Sequence, residues 1–110
     1  MGYRTQYSLE LVVPNTVSYQ YEDVISDLRS SNEGAKYALE EDGSTAEECK
    51  WYDHQEDMRA FSRKYPETVF VLKGEGEEAG DLWLRYFYNG KMQDAPANIT
   101  YDAFDPKKLT

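Results

Sequence analysis

The residues of this chain best suited to chemistry are carboxylates in two runs. Glu75, Glu77, Glu78 and Asp81 crowd a glycine-rich segment, while Glu40, Glu41 and Asp42 precede Gly43, with Glu47 and Glu48 close behind. Paired carboxylates can move protons or hold Mg²⁺, but both tasks need defined geometry and further polar partners. An acidic, glycine-rich connection is ordinarily a solvated loop. A calcium loop fails on spacing: with Gly43 sixth, Ala38 would stand first and Cys49 last, where carboxylates are required. Gly74-Glu75-Gly76 makes no phosphate cradle either, because no third glycine fits, no Lys-Ser pair follows, and its carboxylates repel phosphate.

His54 is the only histidine and Cys49 the only cysteine. His54 has Asp53, Glu56 and Asp57 for neighbours, as a general base would, but it falls in the first turn of a helix on a face that reads as exposed. One histidine and one cysteine complete neither a zinc set nor a catalytic triad. The expectation is a non-enzymatic protein with no catalytic residue, no metal and no cofactor.

The elements that position these residues are legible from the pattern. A length of 110 residues fits one domain, 1–110, and 15% aromatic content provides for a packed core. Tyr3 to Val13 alternates with period two, placing Tyr3, Thr5, Tyr7, Leu9, Leu11 and Val13 on one face of a strand that Pro14 and Asn15 end. Residues 21–30 read as a helix with Tyr21, Val24, Ile25 and Leu28 inward, and Ser18 as its N-cap. Residues 35–39 read as a short turn of helix, with an edge strand as the alternative, 40–48 as an acidic loop, and 50–52 as a short strand. Asp53 with Glu56 forms a capping-box pattern that opens a helix to about Lys64, its inner face Met58, Phe61 and Tyr65. Pro66 stops it.

Thr68 to Leu72 reads as an inner strand buried on both faces, 74–80 as a flexible acidic loop, and Leu82 to Tyr88 as the next strand. Asn89-Gly90 is the chain's strongest hairpin signal, favouring a type I′ turn. The return strand begins at Lys91, is interrupted at Ala95-Pro96, and resumes pairing near Ile99 to Tyr101. The expected class is α+β: an antiparallel sheet of four to five strands with two or three helices on one face.

On the strand 82–88, Leu82, Leu84, Tyr86 and Tyr88 share one face and Trp83, Arg85 and Phe87 the other. Both faces are apolar enough to need a cover. In one reading helices cover one face and the tail or a dimer partner the other. In the second, Trp83, Arg85 and Phe87 form an exposed patch of the residue types found at interface hot spots.

The net charge is −9, from 21 acidic and 12 basic residues. Such a surface disfavours direct binding to nucleic acid or an anionic membrane and attracts a basic protein. No apolar run is long enough to span a bilayer, and the first residues lack the regions of a signal peptide. With a single cysteine, these features give a cytoplasmic expectation.

The stretch 50–58, then Phe61-Ser62-Arg63-Lys64-Tyr65-Pro66, Gly74 to Glu78, Asp81-Leu82-Trp83 and Tyr86 to Lys91 resembles small accessory proteins of phages and mobile elements, over roughly residues 35–105. Its helix–strand–hairpin ending is also similar to ferredoxin-like domains. The resemblance implies a cytoplasmic protein of the host cell that binds a host protein with a basic surface. It would inhibit a nucleic-acid-handling or defence factor by presenting carboxylates in place of phosphates. The expected partner-binding residues are Glu40, Glu41, Asp42, Glu47, Glu48, Glu75, Glu77 and Glu78, with Trp83, Arg85 and Phe87 as the aromatic candidates. A structural domain that self-associates as a homodimer and a small-molecule-binding regulatory domain are the alternatives.

Overall fold

The computed structural model describes residues 4–14, 19–45 and 47–110. It is an α+β fold. Strand β1 (Thr5–Val12) is followed by helices α1 (Tyr21–Ser31), α2 (Glu33–Ala38) and α3 (His54–Ser62), then by strands β2 (Val69–Gly76), β3 (Leu82–Tyr88) and β4 (Lys91–Pro96). The strands form one antiparallel sheet in the order β1-β2-β3-β4. The described α-helices all lie between β1 and β2, so the element order is not the β-α-β-β-α-β of a ferredoxin-like domain.

Alternation in β1 sends Thr5, Tyr7 and Leu9 into the interior, with Leu11 packed against it. Register then carries that face across the sheet: Leu9 stands opposite Leu72 and Leu11 opposite Phe70. Phe70 in turn stands opposite Phe87, and Phe87 opposite Met92. The helices cover this face with Val24, Ile25 and Leu28 from α1, Ala35 and Ala38 from α2, and Met58 and Phe61 from α3, all buried. Tyr65, just past α3, packs at the margin and donates its hydroxyl hydrogen to Asp27 of α1 at 2.7 Å.

Several expectations need correction. The acidic loop at 74–80 is shorter, because β2 continues to Gly76. The reason is Trp83 on the opposing strand: a Cβ on Gly74 would lie 2.0 Å from Cζ2 of that indole, so glycine here makes room for a ring and does not mark a loop. Strand β2 is inner but buried on one face only, since Val69 and Val71 are half-exposed. Residues 50–52 form no strand; the nearest pairing is a single bridge between Thr5 and Cys49. Pro96 does not interrupt β4, because an edge strand tolerates a residue without an N–H, and Ile99 to Tyr101 resumes no pairing. Asp53 is the N-cap of α3 but makes no side-chain cap bond. Ser18 and Tyr3 fall outside the described residues.

The Asn89-Gly90 turn is as expected, with φ of 47° and 82° at its two central residues. Ser62 at the end of α3 accepts a hydrogen bond from the Gly90 amide at 2.8 Å, tying the hairpin to the helix. No described helix is long and apolar enough to cross a membrane.

Candidate functional site

The two acidic runs, about thirty residues apart in the chain, approach each other at the Thr5 end of β1. Residues 40–45 and 47–49 are not a free loop. They run beside the outer edge of β1 and satisfy its backbone: the Leu9 amide donates to the Gly43 carbonyl at 2.9 Å, the Thr45 amide to Tyr7 at 3.0 Å, and Thr5 and Cys49 exchange bonds at 2.7 and 3.0 Å. The Thr45 hydroxyl accepts from the Tyr7 amide at 2.9 Å and donates to the Ala38 carbonyl at 2.8 Å. An edge strand that would otherwise offer unpaired N–H and C=O groups is thereby covered.

This stitching decides where the carboxylates go. Cys49 lies on one side of Thr5 and Gly76 on the other. Neighbouring strands are about 4.8 Å apart, so the backbones carrying Glu47 and Glu48 and those carrying Glu75 and Glu77 are separated by little more than ~10 Å. All four side chains are exposed, as is Glu78. The Glu77 carboxylate accepts from the Arg4 amide at 2.8 Å. At the other end of the edge, Glu40, Glu41 and Asp42 are exposed as well. Asp42 takes hydrogen bonds from the Ser44 hydroxyl at 2.6 Å and amide at 3.0 Å, which hold its carboxyl below the usual range. Glu41 stands 3.9 Å from Arg29. Glu40, Asp42, Glu47 and Glu48 therefore lie along the outer side of β1 and Glu75 and Glu77 across its Thr5 end, a rim to which Glu10 adds on the sheet surface. Glu41 turns to Arg29 of α1, and Glu78 lies in the β2–β3 turn.

The aromatic candidates are placed differently. Phe87 is fully buried beneath α3, so the exposed Trp83–Arg85–Phe87 patch does not form. These residues lie on the helix-covered face because register sets Phe87 against Phe70 and Trp83 against Gly74. Trp83 and Arg85 are half-buried in a stack that includes His54. The imidazole lies 5.4 Å from the Trp83 ring at 18°, and the Arg85 guanidinium carbon lies 4.1 Å above that ring. Tyr7 and Trp51 close the cluster edge-on.

His54 is thus not on an exposed face. Arg85 Nη1 can only donate, so His54 Nε2 accepts from it, and Nδ1–H donates to the Trp51 carbonyl at 2.9 Å. Burial, and then the Arg85 charge, lower the imidazole pKa against the opposing pull of the Trp51 carbonyl and Asp57. Both ring nitrogens are engaged internally, and Arg85 also binds Asp94 at 3.1 Å. What this cluster does is fasten the start of α3 to β3 and β4. Sequence reasoning missed it because His54 and Arg85 are joined only by the fold. Among the described residues no group of three or more His, Cys, Asp or Glu is placed to hold a metal ion.

Among the described residues no helix lies over the opposite sheet face. Its residues, Val69, Val71, Leu82, Leu84 and Tyr86 with the more exposed Val12 and Tyr88, take no part in the buried core. A shallow groove of about 550 Å³ opens between Val69, Tyr86, Tyr88, Lys91, Met92 and Gln93. Over β1 the same face is polar, with Gln6, Ser8, Lys73 and Glu75.

No protein-family model, no curated protein and no solved structure matches this chain.

Proposed function

We propose that this chain is a non-enzymatic protein-binding domain whose recognition element is the acidic rim along β1, and that its partner presents a basic surface. The observation supporting this reading is the convergence of Glu47 and Glu48 with Glu75 and Glu77 on either side of the same end of β1. A net charge of −9 adds long-range attraction for such a partner. Where the rim follows Gly43, Thr45 and Cys49, its backbone is hydrogen-bonded to the sheet edge. A row of negative charge suits a cleft that otherwise receives a phosphate backbone. Together with the resemblance of residues 35–105 to phage accessory proteins, this favours a host nucleic-acid-handling or defence protein as the target and inhibition by occupancy as the mechanism.

The test is affinity capture from a cell extract with the intact chain, at low and at physiological salt. Captured protein should be released as salt rises and displaced by added duplex DNA. A variant carrying Glu47→Gln, Glu48→Gln, Glu75→Gln and Glu77→Gln should capture far less, mainly through slower association. Capture that ignores salt, DNA and these substitutions would reject the reading.

A further inference from the structure

Beyond β4 the chain forms an arm, 97–110, whose apolar side chains have no cover. The Ala97 amide donates to the Leu82 carbonyl at 2.9 Å, and Ile99 lies beside Gly80 in the β2–β3 turn. From there the arm runs into solvent, with Tyr101 90%, Phe104 77% and Leu109 68% exposed. It is locally ordered: Asp105 caps a short 3₁₀ turn at Pro106–Lys108 and Lys108 pairs with Asp102 at 2.9 Å. The radius of gyration is 16.7 Å, against ~13 Å for a compact chain of this size, as an arm leaving the body would produce.

One molecule thus exposes both an apolar sheet face and an apolar arm, at opposite ends. The arm starts at the Leu82 end of β3, whereas the groove lies at the Tyr88 end, ~17 Å away at ~3.4 Å per residue. A two-fold axis that stacks two open faces with their β3 strands antiparallel sets the Leu82 end of one copy over the Tyr88 end of the other. Each arm then begins at the rim of the other copy's groove. Size points the same way. The open face over β2–β4 is roughly 23 Å by 14 Å from strand length and spacing, well short of the ~800 Å² per partner of a stable interface, so the arm must supply the remainder. Charge permits it: the arm holds Asp102 and Asp105 against Lys107 and Lys108, so the net charge of −9 sits entirely in the rest of the chain. A neutral arm can cross an acidic copy without like-charge repulsion.

We infer that two copies of this chain pair through their open sheet faces and exchange arms 97–110, each arm seating Phe104 or Leu109 in the partner's groove at Tyr86 and Tyr88. The pairing uses the open face over β2–β4 and the arm, whereas the rim follows β1 and meets that face only at Glu75, and salt separates the two. Rim binding weakens with salt, while self-association of two acidic bodies holds or strengthens.

The experiment is light scattering on the full chain over a concentration series. The chain should run as a dimer, and Phe104→Asp with Leu109→Asp should weaken dimerisation by about 30-fold or more, the loss expected of a buried hot spot. Tyr88→Asp should do the same. Mixing the arm variant with the face variant should restore a heterodimer, since one intact arm meets one intact face. All three positions are exposed, so thermal unfolding should leave the variants folded; Phe104→Ser with Leu109→Ser, and Tyr88→Ser, serve if the aspartates do not. A chain that is monomeric at every concentration overturns the inference. So does a dimer indifferent to the arm substitutions, or a mixture that stays monomeric.

Discussion

On one face of the sheet Leu72, Phe70 and Phe87 lie beneath helices with no exposed surface, while on the other Val12 and Tyr88 keep 58% and 49% of theirs. The same strands supply both faces, and both are rich in large apolar side chains. Only the first has partners within the chain. The difference follows from connectivity: the described α-helices are inserted between β1 and β2, and the meander β2-β3-β4 returns no helix to the other side. The edges contrast in the same way. β1 is closed by residues 40–45 and 47–49, which bring their carboxylates with them, whereas β4 leads into an uncovered arm. Covered surfaces hold the fold, and uncovered ones are where partners are to be sought.

The sharpest way to break this contrast is truncation on each face. Phe61→Ala should cost about 3–5 kcal/mol in denaturant unfolding, because its ring fills space against Phe70 and Tyr65. Tyr88→Ala on the open face should cost under about 1 kcal/mol, as surface substitutions do. Equal costs would mean that the faces are misassigned. Gly74→Ala should follow at about 1–3 kcal/mol with a shift in tryptophan fluorescence, since the Trp83 ring is held by His54 and Arg85 and cannot easily yield. Gly90→Val should also cost about 1–3 kcal/mol, through strain at a positive φ that a β-branched residue resists.

A smaller effect comes from His54. An imidazole in the unfolded chain titrates near 6.5, and burial followed by Arg85 lowers the folded value. As pH falls, the unfolded chain takes up the proton first. The contribution is fully present above about pH 6.5 and is lost as pH falls through the folded pKa. Unfolding free energy measured between about pH 7 and 5 should therefore decline, and His54→Gln should flatten that decline.

Much of this was legible in sequence because it depended on local rules. Period two set β1, helical spacing set Met58 and Phe61, and Asn89-Gly90 set the turn. What was not legible depended on register across the sheet. Gly74 reads as loop until Trp83 stands opposite it, and His54 reads as exposed until Arg85 reaches it. Trp83, Arg85 and Phe87 were correctly separated from Leu82, Leu84, Tyr86 and Tyr88, but alternation alone cannot say which set the helices cover. The acidic residues were visible one by one, and their assembly into a rim required the contacts of Gly43, Thr45 and Cys49 with β1.

The most direct test of the proposed role is capture from extract by three chains side by side, at low and physiological salt: the wild type, the rim variant with Glu47, Glu48, Glu75 and Glu77 changed to Gln, and the open-face variant Tyr88→Asp. Binding through the rim predicts that the wild type and the open-face variant capture the same basic protein and release it as salt rises, while the rim variant captures little at either salt. If the rim variant captures as much as the wild type and its capture is indifferent to salt, recognition does not reside in the acidic edge of β1.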